Sequence, residues 1–184
     1  MATLYENYPT SDVGLFFTNT AIKWPGQVFT PSISHTITSV KLQMYRVGNP
    51  GTLTINIYAV DGTGVPAGAI KASGTTNGDT LTANAAGEWR EIVLTPGPDN
   101  AVLTASSKYA IVLVDPSGDD SNKAWVNGDY TGNYAGGYAI VTVDGGINWN
   151  QYHTGNVYDL GFEDWGDPYS PPSSGGGGLK MKCL

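Results

Sequence analysis

The chain has 184 residues, including 25 glycines and 11 prolines, and its sparse charged residues (14%) sum to a net charge of −7. That length suits one domain with a tail and is enough to bury a core, while the acidic balance argues against a nucleic-acid backbone as partner. No uncharged apolar run approaches the roughly 20 residues that a membrane span needs, and the single cysteine, Cys183, excludes an internal disulfide and a cysteine-based metal site.

Residues Met1–Asn7 carry no basic start followed by an apolar run, so no signal peptide is expected there. The composition nevertheless suits an extracellular or virion-surface setting, with many short strands joined by tight turns. A first strand is expected at 26–30, before Pro31. Within 36–46, Val40, Leu42 and Met44 share one parity and Lys41, Gln43 and Tyr45 the other. Ile37 is out of phase, which predicts a bulge near Thr38–Ser39. Gly48–Gly51 reads as a turn. Leu53, Ile55, Ile57 and Ala59 then alternate with Thr54, Asn56 and Tyr58, and this segment is expected to pair antiparallel with 36–46, leaving one wet face.

A turn at Asp61–Pro66 precedes shorter strands expected at 69–75, 79–82 and 88–94. Residues 108–114 are apolar on both parities and should lie centrally, covered on both sides. After a polar loop at 115–122, strands are expected near 123–127, 137–143 and 157–163, giving roughly nine to eleven in all. No segment has sustained helical periodicity. The expected fold is all-β: a two-sheet antiparallel β-sandwich, with long crossings favouring a jelly roll over residues 1–166. Its core should include Val40, Leu42, Leu53, Ile55, Ile57, Ile111, Leu113, Leu160 and Phe162.

After Trp165 the pattern gives way to Pro- and Gly-rich linker chemistry, then to Leu179-Lys180-Met181-Lys182-Cys183-Leu184. Leu179, Met181 and Cys183 share one strand parity. Residues 167–184 are therefore expected to form a C-terminal arm that pairs with a neighbouring subunit.

Catalytic signatures are missing. His35 and His153 have no helical zinc-motif partner, and there is no nucleophile elbow, P-loop or dinucleotide fingerprint; a non-enzymatic role is expected. The acidic residues admit one cofactor, a structural calcium. Its candidate ligands are Asp115, Asp119 and Asp120 with Asn122, or Glu6 with Asp159 or Glu163. Aromatics crowd the second half of the chain, and the loop from Tyr130 through Asn133 to Tyr134, with Tyr152, is the expected place for sugar rings to stack.

Two resemblances bear on function. The segment Thr142-Val143-Asp144-Gly145-Gly146-Ile147-Asn148-Trp149 resembles the Asp-box of sialidases and related propellers, with Thr142 and Asn148 departing from its pattern. It occurs once, in a chain too short for a propeller, and is read as a hairpin-turn device, not as sialidase activity. More extensively, Gln27–Pro31 (QVFTP), His35–Val40 (HTITSV), Gly48–Thr54 (GNPGTLT), Gly87–Ile92 (GEWREI), Lys108–Val112 (KYAIV), Asp144–Gly146 and Asp159–Trp165 (DLGFEDW) together resemble the uncharacterised β-sandwich domains labelled choice-of-anchor R, found in microbial surface proteins and phage structural genes. The resemblance covers about residues 4–166. It implies a jelly roll similar to carbohydrate-binding modules and supplies no catalytic residues.

The leading expectation is a non-enzymatic virion structural accessory: a capsid decoration, head-fibre or tail-surface protein that binds neighbouring subunits, as a homo-oligomer or with other virion proteins, and host glycans. The alternative is a carbohydrate-binding or adhesive module of a microbial cell-surface protein. Neither nucleic acid nor a membrane span enters either reading.

Overall fold

A computed structural model describes residues 1–10, 13–18, 23–152 and 158–169. In chain order the strands begin with β1 (Thr3–Tyr8), β2 (Val13–Phe17), β3 (Trp24–Phe29), β4 (His35–Val47) and β5 (Thr52–Val60). There follow β6 (Pro66–Asn77), β7 (Glu88–Val93), β8 (Thr95–Pro96), β9 (Val102–Leu103) and β10 (Tyr109–Val114). The last are β11 (Lys123–Asp129), β12 (Tyr138–Thr142), β13 (Asn150–Tyr152), β14 (Asp159–Leu160) and β15 (Phe162–Pro168). They form two antiparallel sheets. One runs β1-β15-β4-β11-β14, with β2 on β11 and with β7 and β9 on β4; the other runs β13-β12-β3-β10-β5-β6-β8.

The sheets face each other across a core that contains all nine residues expected from alternation, each no more than 2% exposed. Burying two apolar faces against each other is what makes two sheets stable in water. The long strand β4 reaches this core along its length because it changes phase. Trp165 pairs with Ser39 but the next residue, Gly166, pairs with Ile37, so Thr38 is passed over, and both Ile37 and Val40 point inward. The bulge predicted at Thr38–Ser39 is therefore present.

Several expected elements differ. The segments 36–46 and 53–59 do not pair: β4 and β5 lie in opposite sheets, and β5 pairs with β10 and β6. The turn between them crosses the sandwich. Gly48 and Gly51 take positive φ, while Asn49 N–H donates to Asn122 Oδ1 (2.9 Å) and Gly51 N–H to Asp79 Oδ1 (2.8 Å), which holds the crossing tightly. Composition marks a turn at such a site but does not say whether the chain turns within a sheet or between two. The expected strand at 79–82 is instead a single 3₁₀ turn, Gly78–Thr80, capped by Asn77 Oδ1 accepting from Asp79 N–H. Two strands, β1 and β2, precede the expected first strand. Strand β15 continues to Pro168, where Gly166, Asp167 and Pro168 still pair with β4, past the expected end of the pattern at Trp165.

Ile57 is 0% exposed in the middle of β5. Ile57→Ala should lower unfolding free energy by about 2–5 kcal/mol in urea titrations, and an unchanged midpoint would contradict the register.

Candidate functional site

Strand β10 sends Ile111 and Leu113 into the core and Ala110 and Val112 to the other face of its sheet. There Ala110 and Val112 join Val28, Tyr138 and Ile140 in a second, smaller apolar cluster, with Trp24, Tyr58, Val60, Val114 and Trp149 packed on its rim. Two loops close over this face. One is the β12–β13 hairpin that resembles the Asp-box. Asp144 Oδ1 accepts hydrogen bonds from Thr142 Oγ1 (2.6 Å), Asn148 N–H (2.9 Å) and Ile147 N–H (3.1 Å), and Oδ2 accepts from Asn148 Nδ2 (2.7 Å). Those donors hold the Asp144 carboxyl down at about 2. The glycines at 145 and 146 both take positive φ. The second loop is the β5–β6 turn, fastened by Asp61 Oδ1 accepting from Thr63 N–H (2.8 Å) and Oγ1 (2.6 Å). Tyr138 Oη donates to Gly64 O (2.9 Å) and Gln151 Nε2 to Thr63 O (2.9 Å), tying the β12–β13 unit to this turn.

Between the loops lies an open pocket of about 320 Å³, lined by the rings of Trp24, Tyr58 and Trp149 and by Gly68, Gly145 and Gly146. A side chain at Gly146 would place its Cβ 3.0 Å from the Trp24 ring, and φ there is +91°, so only glycine lets the hairpin lie against that indole. None of the lining residues is charged. Burial raises the Tyr58 phenol above its ordinary value, with the Asn56 side chain hydrogen-bonded to it acting in the opposite direction. Sequence alone does not bring Trp24, Tyr58 and Trp149 together, since they come from three separate segments. The Asp-box-like hairpin was the one available signal.

Of the aromatic residues expected to bind sugar, Tyr130 and Tyr152 share one neighbour, Tyr158, and Tyr134 lies apart from them. Tyr130 is 54% exposed and meets Tyr158 edge-on, and Tyr158 in turn packs against Tyr152. Tyr134 instead turns into the sandwich against Phe162 and Tyr8, with burial pushing its phenol well above the ordinary range. Asn133 is exposed and uses its N–H on Tyr8 Oη (3.3 Å).

The expected calcium ligands are similarly separated by their own hydrogen bonds. Asp115 is buried, accepts from Thr18 Oγ1 (2.7 Å), and has its carboxyl raised by that burial. Asp119 serves its own loop by accepting from Ser121 and Asn122 N–H (2.7 Å each). Asp120 is exposed, and its charge acts on Lys23. Glu6 accepts from Ser32 N–H (2.7 Å), Asp159 from Gln27 Nε2 (2.8 Å) and Tyr134 N–H (3.0 Å), and Glu163 pairs with Lys41 (3.2 Å). Among the described residues no three His, Cys, Asp or Glu side chains gather as a metal-holding group. The arm residues Leu179, Met181 and Cys183, and His153, lie outside the described residues.

His35 is fully buried. Its ring stacks on Tyr5 (3.9 Å between centroids, 5° apart), Nδ1 lies 2.9 Å from Ile33 O, and Nε2 is 3.1 Å from Asp164 Oδ1 and 2.9 Å from Oδ2. This pair ties β4 to β15.

No protein-family model matches the chain, and no curated protein matches it in sequence. Among solved structures, it is similar to the structure of the infectious bursal disease virus Gx strain, at 15% identity and a TM-score of 0.32 over 93% of this chain and 41% of that chain. It is similar also to the infectious bursal disease virus VP2 subviral particle, at 14% identity and a TM-score of 0.27 over 93% of this chain and 39% of that one. The chain thus spans less than half the length of the chains it matches, and at these TM-scores the likeness carries no argument about function.

The His35–Asp164 pair makes stability depend on pH. Burial pushes the imidazole down, but the Asp164 hydrogen bond and charge outweigh it, so the folded His35 holds its proton more tightly than the unfolded chain does. That contribution is complete below the ordinary imidazole value of about 6.5 and is lost as pH rises through the raised folded value. Asp164, raised by desolvation, acts with the same sign at lower pH. Urea midpoints should therefore fall as pH rises past about 6.5, and His35→Gln should flatten that fall. A native profile level across this window would refute the assignment.

Proposed function

We propose that the chain is a non-enzymatic display domain: a virion structural accessory, such as a capsid decoration, head-fibre or tail-surface protein, that meets neighbouring subunits through the outer face of the β4-containing sheet. The observation that carries this reading is a cross-strand row of half-exposed aromatics. Phe17 on β2, Trp125 on β11 and Tyr45 on β4 pair directly across the sheet. Trp125 lies 4.4 Å from Phe17 and 5.7 Å from Tyr45 between centroids, and nearly parallel to Tyr45 (7°). The ammonium of Lys23 stands 3.5 Å above Phe17. Farther along the same face Trp89 is 38% and Val93 73% exposed. Aromatic rings fixed by packing on their neighbours are typical interface anchors, since they contribute large contact area at low entropic cost. The resemblance of the sequence to surface and phage structural domains supports placing such a face on a particle.

The arm, expected from the sequence at 167–184 but following β15, which ends at Pro168, belongs to the same reading on the evidence of its sequence: Leu179, Met181 and Cys183 on one parity would be covered by a partner's sheet edge, with the lysines towards its acidic surface. The alternative, a carbohydrate-binding or adhesive module of a cell-surface protein, is favoured by a separate observation, the Trp24–Tyr58–Trp149 pocket.

Sedimentation of the native chain, alone and with its particle, tests the leading reading. Trp125→Ala should weaken association by about 2 kcal/mol while leaving the melting temperature nearly unchanged; unaltered association would remove the face from the interface. Truncation after Tyr169, which spares β15, should preserve the melt and abolish attachment; a truncated chain that attaches normally would remove the arm. Neither glycan nor ester substrates should turn over.

A further inference from the structure

We propose that the Trp24–Tyr58–Trp149 pocket is a binding site for one ring of a neutral sugar, a pyranose resting on aromatic side chains. The inference rests on the chain being a binding domain, but not on which face assembles or what surface displays it.

The pocket, about 320 Å³, falls at the small end of ligand sites, which run to roughly 300–1,000 Å³. That suits a single ring with its substituents better than a large cofactor. It also lies on the outer face of its sheet, open to solvent. Trp24, Tyr58 and Trp149 are only partly buried, yet all three stand on the Val28–Ala110–Val112–Ile140 cluster. They are pre-set, so a ligand would not have to order them. Partly exposed rings fixed from below present some π-surface, whose negative potential favours the polarised C–H groups on one side of a pyranose.

The rest of the lining has only small or apolar side chains: Pro66, Ala67 and three glycines, Gly68, Gly145 and Gly146, each glycine with positive φ. Peptide groups at glycines can meet hydroxyls directly where side chains would keep them away. Tyr58 adds a phenol at the edge. A phenol hydroxyl can both donate to and accept from a sugar hydroxyl.

Charge decides between ligand classes. No lining residue is charged. The two carboxylates of the flanking loops, Asp144 and Asp61, are both turned to their own turns, where they accept hydrogen bonds from within their loops. A cation would find aromatic faces but no carboxylate lining the pocket. A sialylated or phosphorylated ligand would meet a chain of net charge −7 with no lining cation. A neutral polyol with one apolar face fits all of these conditions.

The test titrates the full chain with methyl glycosides of glucose, galactose, mannose and N-acetylglucosamine, and with sialyllactose and choline as charged comparators, read by NMR. At least one neutral glycoside should shift the indole N–H resonances of Trp24 and Trp149 and leave that of Trp125 in place, a readout that requires no variant. Trp149→Ala should weaken that binding at least roughly tenfold, Trp149→Phe should retain most of it, and Trp125→Ala should leave it unchanged. The proposal is overturned if no neutral glycoside binds, if choline or sialyllactose is preferred, or if binding shifts Trp125 instead. Association measured on the same samples separates the outcomes: a chain that assembles through its aromatic row but takes no sugar leaves the display reading standing and removes only this site.

Discussion

Strand β10 is apolar on both of its faces, and much of the molecule follows from covering the second one. The first face is satisfied by the sandwich itself, where Ile111 and Leu113 meet the opposite sheet. The second, Ala110 and Val112, would lie open to water in a simple two-layer fold. Here it joins Val28 of β3 and Tyr138 and Ile140 of β12 in one cluster, with Trp24, Tyr58 and Trp149 packed against it. Large rings that cover a small cluster cannot all be covered in turn. The loops over β12–β13 and β5–β6 close part of the gap and leave the pocket between them. The pocket is thus a consequence of how a doubly apolar strand is shielded.

The same economy governs the acids. Burying a carboxylate is expensive unless donors meet it, and the buried ones here each accept at least one hydrogen bond, although Asp164 Oδ2 accepts none among the described residues. Gln27 is the clearest case: its amide nitrogen donates to Asp159 Oδ1 (2.8 Å) while its oxygen accepts from Leu160 N–H (2.7 Å), and Tyr134 N–H reaches the other Asp159 oxygen (3.0 Å). Asp115 joins Thr18, and Asp164 joins His35. These contacts bind strands distant in sequence, and they explain why acids that suggest metal ligands in the sequence act as fasteners in the fold.

What the sequence made legible was whatever period alone decides. Alternation placed Ile55 and Phe162 in the core, and the phase slip at Ile37 located the β4 bulge, because side-chain direction in a strand is local. Partners are not local. Nothing in Gly48–Gly51 distinguishes a hairpin from a crossing between sheets, so β4 and β5 looked paired. Edge strands such as β1, half-exposed on both parities, have no strong alternation to read. The site was the least legible part: Tyr134 and Trp149 are equally plausible ring donors in one dimension. Only packing separates them, turning Tyr134 onto Phe162 and leaving Trp149 at the mouth of a pocket.

The two proposed surfaces lie on opposite sides of the sandwich. Phe17, Trp125 and Tyr45 belong to one sheet's outer face, while Trp24, Tyr58 and Trp149 belong to the other's. The close-packed core between them is rigid on the time average, so occupancy of one face need not disturb the other. A domain that rests on a particle through its aromatic row would therefore hold the pocket away from that particle, towards whatever surface it approaches. That arrangement makes the two proposals compatible: the proposed assembly face and the proposed pocket share no residues, so a domain seated through one would keep the other free.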